Sequence, residues 1–390
     1  MLSKSYIIII YVILSFFGSL FLPADYLITY WTYNLVFYAS IVLLSISSRG
    51  EVKNLYYGAF ILLSLIMAFR NHMGIDDSQY EYHFDRACTL GLLEYLTSAN
   101  MEKGYLLFQF VLCKLFVSSF FQYQVLLSFL TFCLWGLMLK KMSVYCEPII
   151  CFFFLWTNWY FLIMYAGLIR IFFALPIALL ALYYFLTDDM KRYFMLLFIA
   201  ALIHSSALFL LVVLLFKYSA KSYDYWKEIS FITILMMPLF FILIVKIIVP
   251  LLGSRHAGLQ IASLSFSIEA FEYLPILCMG GYCRNFIVDE GEKKFYTIGL
   301  FLIACSIGLA FSSPMVPELG RIVYYTNFGI PLIASIIFNN QVYNKTNTVV
   351  LLLLLIFGFV YLMHTAFLNQ SAIPHLFPYR SFLYLNSATL

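Results

Sequence analysis

The residues best suited to chemistry sit together in one polar stretch, Arg70 to Gly104, of a chain that is otherwise almost continuously apolar. It holds six of the nineteen acidic residues (Asp76, Asp77, Glu81, Asp85, Glu94, Glu102), with Arg70, Arg86, Lys103, two histidines and three tyrosines. Adjacent carboxylates such as Asp76 and Asp77 can have their proton affinities pushed apart, so that one becomes a proton acceptor. Farther along, Arg170 and Arg321 stand at the ends of apolar runs, Arg170 with no acidic residue one turn away. A guanidinium fork so placed is suited to phosphate or carboxylate. His204 interrupts another apolar run beside Ser205 and Ser206. HExxH, GxSxG and a Gly-rich phosphate loop are missing, and no clustering of ligands suggests a metal or any other cofactor.

The elements that must hold these groups follow from composition. With 64% hydrophobic residues, 11% charged residues and a mean hydropathy of +0.93, the chain is far from soluble averages, where about a quarter of residues are charged. Apolar runs of about 20 residues satisfy their backbone in lipid only as helices. The expected class is therefore all-α and polytopic, a single transmembrane domain over 1–390. A net charge of +4, scattered along the chain, gives no basis for nucleic-acid binding. The eight cysteines show no CxxC spacing, which predicts small core hydrophobes and neither a disulfide nor a zinc site.

Taken in order, the expected spans are Tyr6–Leu22, Asn34–Ser47, Leu55–Phe69, Phe121–Leu139, Pro148–Ala166, Leu168–Leu186, Ile229–Pro250, Ser267–Val288, Phe295–Phe311, Arg321–Phe338 and Thr348–Leu368. Lys4 ahead of the first, and the lack of a small-residue cleavage site after it, predict a membrane helix starting in the cytoplasm and not a removed signal peptide. Residues 70–120 then form an external loop. Tyr105–Phe120, broken by Gln109 and Lys114, lies along the outer interface within that loop, because spanning would put Lys140 and Lys141 outside against the charge rule. Residues 193–216 are basic at both flanks and polar at His204. Two half-spanning helices meeting there, or one ordinary span with a hydrogen-bonded histidine, both fit. The sum is about eleven spans plus one re-entrant pair, with the C-terminus outside. On this layout six of the nine arginines (Arg70, Arg86, Arg170, Arg255, Arg321, Arg380) face outward, where insertion disfavours them. That placement calls for an anionic ligand or, failing that, lipid headgroups.

Arg70…Gly74-x-Asp76-x-x-x-Tyr80-x-x-His83, Glu102-x-Gly104-Tyr105, Arg170 with Ala174, LIHSSAL at 202–208, Arg321-x-x-x-Tyr325 and Pro378-Tyr379 together resemble the EpsG-type exopolysaccharide polymerases, which belong with the Wzy-like polymerases. The order of these short motifs over residues 55–380 carries the resemblance. Ile171 departs from it, since glutamine is expected after the arginine, and the paired Asp76-Asp77 leaves the equivalent acid open by one position.

The resemblance implies a GT-C-like enzyme of the bacterial cytoplasmic membrane. It implies the joining of polyprenyl-pyrophosphate-linked oligosaccharide repeats into an O-antigen, capsule or exopolysaccharide at the outer face. Membrane lipid surrounds such an enzyme, and a chain-length regulator is a conceivable protein partner. Asp76, or failing that His204 or Glu102, would take the acceptor's proton; Arg170 and Arg321 would steady the leaving diphosphate. Arg70, Asp77, Tyr80, Tyr105, Tyr324 and Tyr325 would bind substrate, the tyrosines by stacking on sugar faces. A flippase of lipid-linked sugars and a membrane acyltransferase acting on surface sugars are the alternatives.

Overall fold

A computed structural model of the chain describes residues 3–22, 24–48, 55–70, 76–99, 101–157, 167–217, 223–243, 269–312, 320–340 and 345–362. Gly74, Arg255, Pro378, Tyr379 and Arg380, and the ends of several expected spans, lie outside the described residues. The regular elements described are helices throughout. Five of them are long and apolar enough to cross a membrane: Leu27–Ser47, Phe120–Met142, Ile169–Leu186, Glu290–Ser312 and Arg321–Asn340. Shorter apolar helices occur at Lys4–Ser19, Leu55–Phe69, Ser205–Phe216 and Asn347–Val360. The residues separate into two compact units.

The first unit comprises residues 2–144, 156–205 and 355–390. It contains α1 (Lys4–Ser19), α2 (Ala24–Ser48), α3 (Leu55–Phe69), α4 (Asp77–Thr89), α5 (Leu92–Ser98), α6 (Lys103–Leu115), α7 (Phe120–Met142), and, after α8 (Pro148–Trp156), α9 (Ile169–Leu186) and α10 (Met190–Ile203). Helices α3 and α7 pack closely because Gly136 lies under the Phe60 ring, with a Cβ-sized space of only 3.1 Å, and its carbonyl accepts the Tyr56 hydroxyl at 2.7 Å. The last carbonyls of a helix have no intrahelical partner. At the end of α3 the buried Gln124 amide supplies one, donating to the carbonyls of Met67, Ala68 and Arg70 at 3.1, 3.1 and 2.7 Å.

The described part of the expected external loop is almost wholly helical, and its order has a polar cause. Lys103 Nζ donates to the carbonyls of Leu96 and Ala99 at the end of α5, and Lys114 Nζ to that of Cys88 at the end of α4. Cations there also complement the helix dipole. Gln109, which reads in the sequence as an interruption of α6, is buried and joins two neighbours, accepting from the Tyr95 hydroxyl at 2.7 Å and donating to the Tyr80 carbonyl at 3.3 Å. Helix α6 has thirteen residues.

One expectation fails in this region: Cys88 on α4 and Cys113 on α6 form a disulfide, with Cα atoms 5.6 Å apart. The pairing joins helices 25 residues apart in sequence, so no short spacing announces it. Cys133 and Cys278 are also exposed, not in a core, while Cys146, Cys151, Cys283 and Cys305 are buried as expected.

The second unit comprises residues 145–155 and 206–354. It contains α11 (Trp226–Leu243), α12 (Glu269–Cys283), α13 (Glu290–Ser312), α14 (Gly320–Thr326), α15 (Gly329–Asn340) and most of α16 (Lys345–Leu362). Helix α13 is apolar on every side and buried along nearly its whole length, the pattern of a helix enclosed by others. Gly299 on it meets Gly329 on α15 so closely that neither has room for a Cβ, the small-residue contact typical of membrane helices. Arg284 is buried here, donating to Thr297 Oγ1 and to the Tyr223 carbonyl, both at 2.7 Å. The expected span 321–338 is divided at Asn327 and Phe328 into α14 and α15.

Candidate functional site

Helix α10 ends where the sequence turns polar. His204 leaves the helix with an extended backbone (φ −150°, ψ 111°), and Ser205 begins a 3-10 helix that runs to Phe216. Of the two readings open for 193–216, the structure has the helix end at His204. The start of α6 packs against this corner at very short range: a Cβ on Gly104 would lie 2.5 Å from Leu202 Cβ and from its carbonyl oxygen. Only glycine permits that approach, and it brings Glu102, which precedes α6, onto Ser205.

Glu102 is the centre of the resulting cluster. Its Oε1 accepts from the Ser205 amide and from the Ser205 hydroxyl, each at 3.1 Å. Its Oε2 accepts from Arg170 Nη1 in a close ion pair. Burial opposes ionisation of Glu102, but the Arg170 guanidinium, His204 and the Ser205 amide outweigh it and hold the carboxyl below its usual range. Glu102 is therefore a carboxylate at neutral pH.

Arg170 is the second residue of α9, whose first N–H groups receive no side-chain cap. Its Nε donates to the Tyr80 hydroxyl at 3.4 Å. Its guanidinium lies 5.8 Å from the Tyr80 ring centre and 5.9 Å from that of Tyr105, within cation–π range. The Tyr80 hydroxyl is 3.5 Å from Asp76 Oδ2, the carboxylate at the head of α4. Burial raises the proton affinity of this phenol against the pull of Arg170, so Tyr80 stays protonated and donates to Asp76. Behind the cluster the Tyr123 hydroxyl donates to that of Tyr105 at 2.7 Å.

Asp76, Tyr80, Glu102, Tyr105, Arg170 and His204 are thus assembled in one unit, from four separate stretches of chain. Asp76 is partly exposed, and the side chains of Arg170 and Glu102 are 11% and 20% accessible, so an anion or a sugar can reach them. Arg70 and Asp77 are placed differently. Both are buried and paired with each other at 2.7 Å, with side chains 2% and 1% accessible, beneath the Gln124 cap of α3. Arg321, Tyr324 and Tyr325 belong to the second unit, where Arg321 is exposed near the start of α14 and Tyr325 is buried.

Ser205 and Gln109 were visible only as parts of polar interruptions, and Tyr123 as an ordinary helix residue; their roles needed the packing. Among the described residues no group of three or more His, Cys, Asp or Glu could hold a metal ion.

Residues 53–381 match the family model described as EpsG family. No curated protein and no solved structure matches the chain.

Proposed function

The chain belongs to the EpsG family, a membrane protein of exopolysaccharide formation, and we propose that it is the polymerase joining polyprenyl-diphosphate-linked oligosaccharide repeats. The observation that carries this reading is the cluster Asp76, Tyr80, Arg170, Glu102 and Ser205, which sets a cation and two carboxylates side by side against the tilted rings of Tyr80 and Tyr105. In the reaction an acceptor hydroxyl attacks the anomeric carbon of the donor. A glycosidic C–O bond forms there, and the bond from that carbon to the diphosphate oxygen breaks.

The departing diphosphate gathers negative charge. Arg170 and the uncapped N-terminus of α9 offer positive charge to it, where fixed donors act most strongly on developing charge. The hydroxyl's proton passes to a carboxylate. Asp76 suits this task best, since Glu102 is already engaged by Arg170 and Ser205. Tyr80 and Tyr105 present ring faces for sugars. Arg70 and Asp77 hold the base of α4 and act on the site by positioning it. Arg321 is retained as a second diphosphate ligand on the strength of its motif.

The loop's disulfide supports an external site, because such bonds persist in oxidising compartments. About eleven spans, a GT-C-like arrangement and a cytoplasmic N-terminus with an external C-terminus complete the proposal. The decisive experiment is the lipid-linked material that collects in cells lacking the protein. Single repeats accumulating on the outer face are the expected result. Accumulation on the inner face would instead indicate a flippase, and full-length polymer lacking acyl groups an acyltransferase.

A further inference from the structure

In the second unit, helices α11 and α12 both lean on α13 and leave a cleft between them. Met237 of α11 packs over Gly308, and the Tyr296 hydroxyl of α13 donates to the Gly280 carbonyl of α12 at 2.7 Å. The start of α11 meets the end of α12, where Trp226 fills the space left by Gly281; an added Cβ there would lie 2.8 Å from the indole. The cleft has a volume of about 500 Å³, within the range of about 300–1,000 Å³ usual for small-molecule sites.

Its lining is graded from one end to the other. Where the two helices meet, Lys227, Tyr282 and Asn285 are exposed, and Lys227 Nζ lies 6.0 Å from the Trp226 ring centre. Ser230 stands one turn farther along α11, and Ile234, Leu274 and Leu277 line the remainder. Both helices thus pass in the same direction from polar groups to hydrocarbon. Tryptophan and tyrosine at the polar end are the side chains that favour a membrane's polar boundary. Phe231, also on the lining, is 63% exposed, so the cleft is open along its side.

Ser230 is the residue that the fold leaves unfinished. It is 3% exposed, and among the described residues its Oγ has no hydrogen-bond partner. A serine inside a helix commonly returns its hydroxyl to the carbonyl four residues back, as Ser128 and Ser312 do at 2.6 Å. Ser230 makes no such bond. A buried hydroxyl without an acceptor is costly, and in a native fold it calls for a reason.

We propose that this cleft binds one glycerophospholipid, with its phosphodiester at Lys227 and Asn285, an ester carbonyl accepting from the Ser230 hydroxyl, and an acyl chain along Phe231, Ile234, Leu274 and Leu277. Lys227 and Ser230 are separated by about 4.5 Å along the helix axis, comparable with the separation of phosphate and ester carbonyl in such a lipid. Free phosphate lacks both carbonyl and chain, and a polyprenyl phosphate lacks the carbonyl, so Ser230 selects the phospholipid over either. The inference goes beyond the polymerase reading and does not depend on it.

The test is native mass spectrometry of the full chain in detergent, titrated with phosphatidylglycerol. The first lipid is expected to bind about tenfold more tightly than those that follow, and diacylglycerol with the same chains at least about tenfold more weakly than that first lipid. Lys227→Gln and Ser230→Ala should each weaken the first step about five- to tenfold, and Ser230→Ala should unfold, free of lipid, at the wild-type temperature or above. Successive lipids binding alike, or diacylglycerol binding as tightly as phosphatidylglycerol, overturns the inference. So does unchanged first-step binding in Ser230→Ala, or a lowered unfolding temperature in it, which would reveal a structural partner. Polyprenyl phosphate displacing phosphatidylglycerol at lower concentration would overturn the assignment to a phospholipid.

Discussion

Arg170 joins three interactions that ask for a guanidinium and not merely for a positive charge: the pair with Glu102, the bond to the Tyr80 hydroxyl and the stacking over two rings. Lysine carries the charge but not the planar fork. Arg170→Lys should therefore reduce polymer formation at least about a hundredfold with protein levels unchanged, measured by chain-length profiles of surface polysaccharide; full activity would point to a lipid-headgroup contact instead. The adjacent acids separate by the same kind of reasoning. Asp77→Asn removes the carboxylate paired with the buried Arg70 guanidinium, and breaking a buried ion pair costs about 3–5 kcal/mol, so the expected result is less folded protein in a detergent thermal-unfolding assay. Asp76→Asn should unfold as wild type does and lose about 10²–10⁴-fold in rate. Were the two phenotypes exchanged, Asp77 would be the proton acceptor.

Helices of the polar loop are short, and none would be stable alone. They are fixed by lysine caps on α4 and α5, by the Gln109 bridge and by the Cys88–Cys113 disulfide, and their combined effect is to hold Tyr80 and Glu102 against Arg170. The tightest point is the crossing of α6 over Leu202 at Gly104. A methyl group there must push the helix outward, at about 1–3 kcal/mol, and a shift of even 1 Å would part Glu102 from Ser205. Gly104→Ala is expected to abolish polymer at near-normal expression, and Gly104→Ser likewise. Activity within twofold of wild type in Gly104→Ala would mean that the approach is looser than the structure has it.

At the scale of the molecule, the expected topology puts residues 70–120 outside and residue 141 inside, and the disulfide provides an independent check. In intact cells, Cys88 and Cys113 should resist a thiol-reactive probe until a reductant is added, and then react with a membrane-impermeant one. A cysteine introduced at position 141 should stay unreactive to the impermeant probe; labelling there from outside would invert the layout. Composition alone determined that this is a helical membrane protein, because an apolar backbone in lipid has no other way to satisfy its hydrogen bonds. Local order was partly legible: the aromatic content of the loop argued against disorder, a break at His204 was one of two readings, and a helix over 168–186 was expected. Two things were not. Sequence spacing put no acid near Arg170, yet Glu102, 68 residues away, is its partner. Asp77 was expected to bind substrate beside Asp76, yet one stands at the site and the other is buried beneath it. Partnerships of that kind depend on which surfaces meet, and a helix repeats every 3.6 residues without recording what it will face; only the packed tertiary structure decides that.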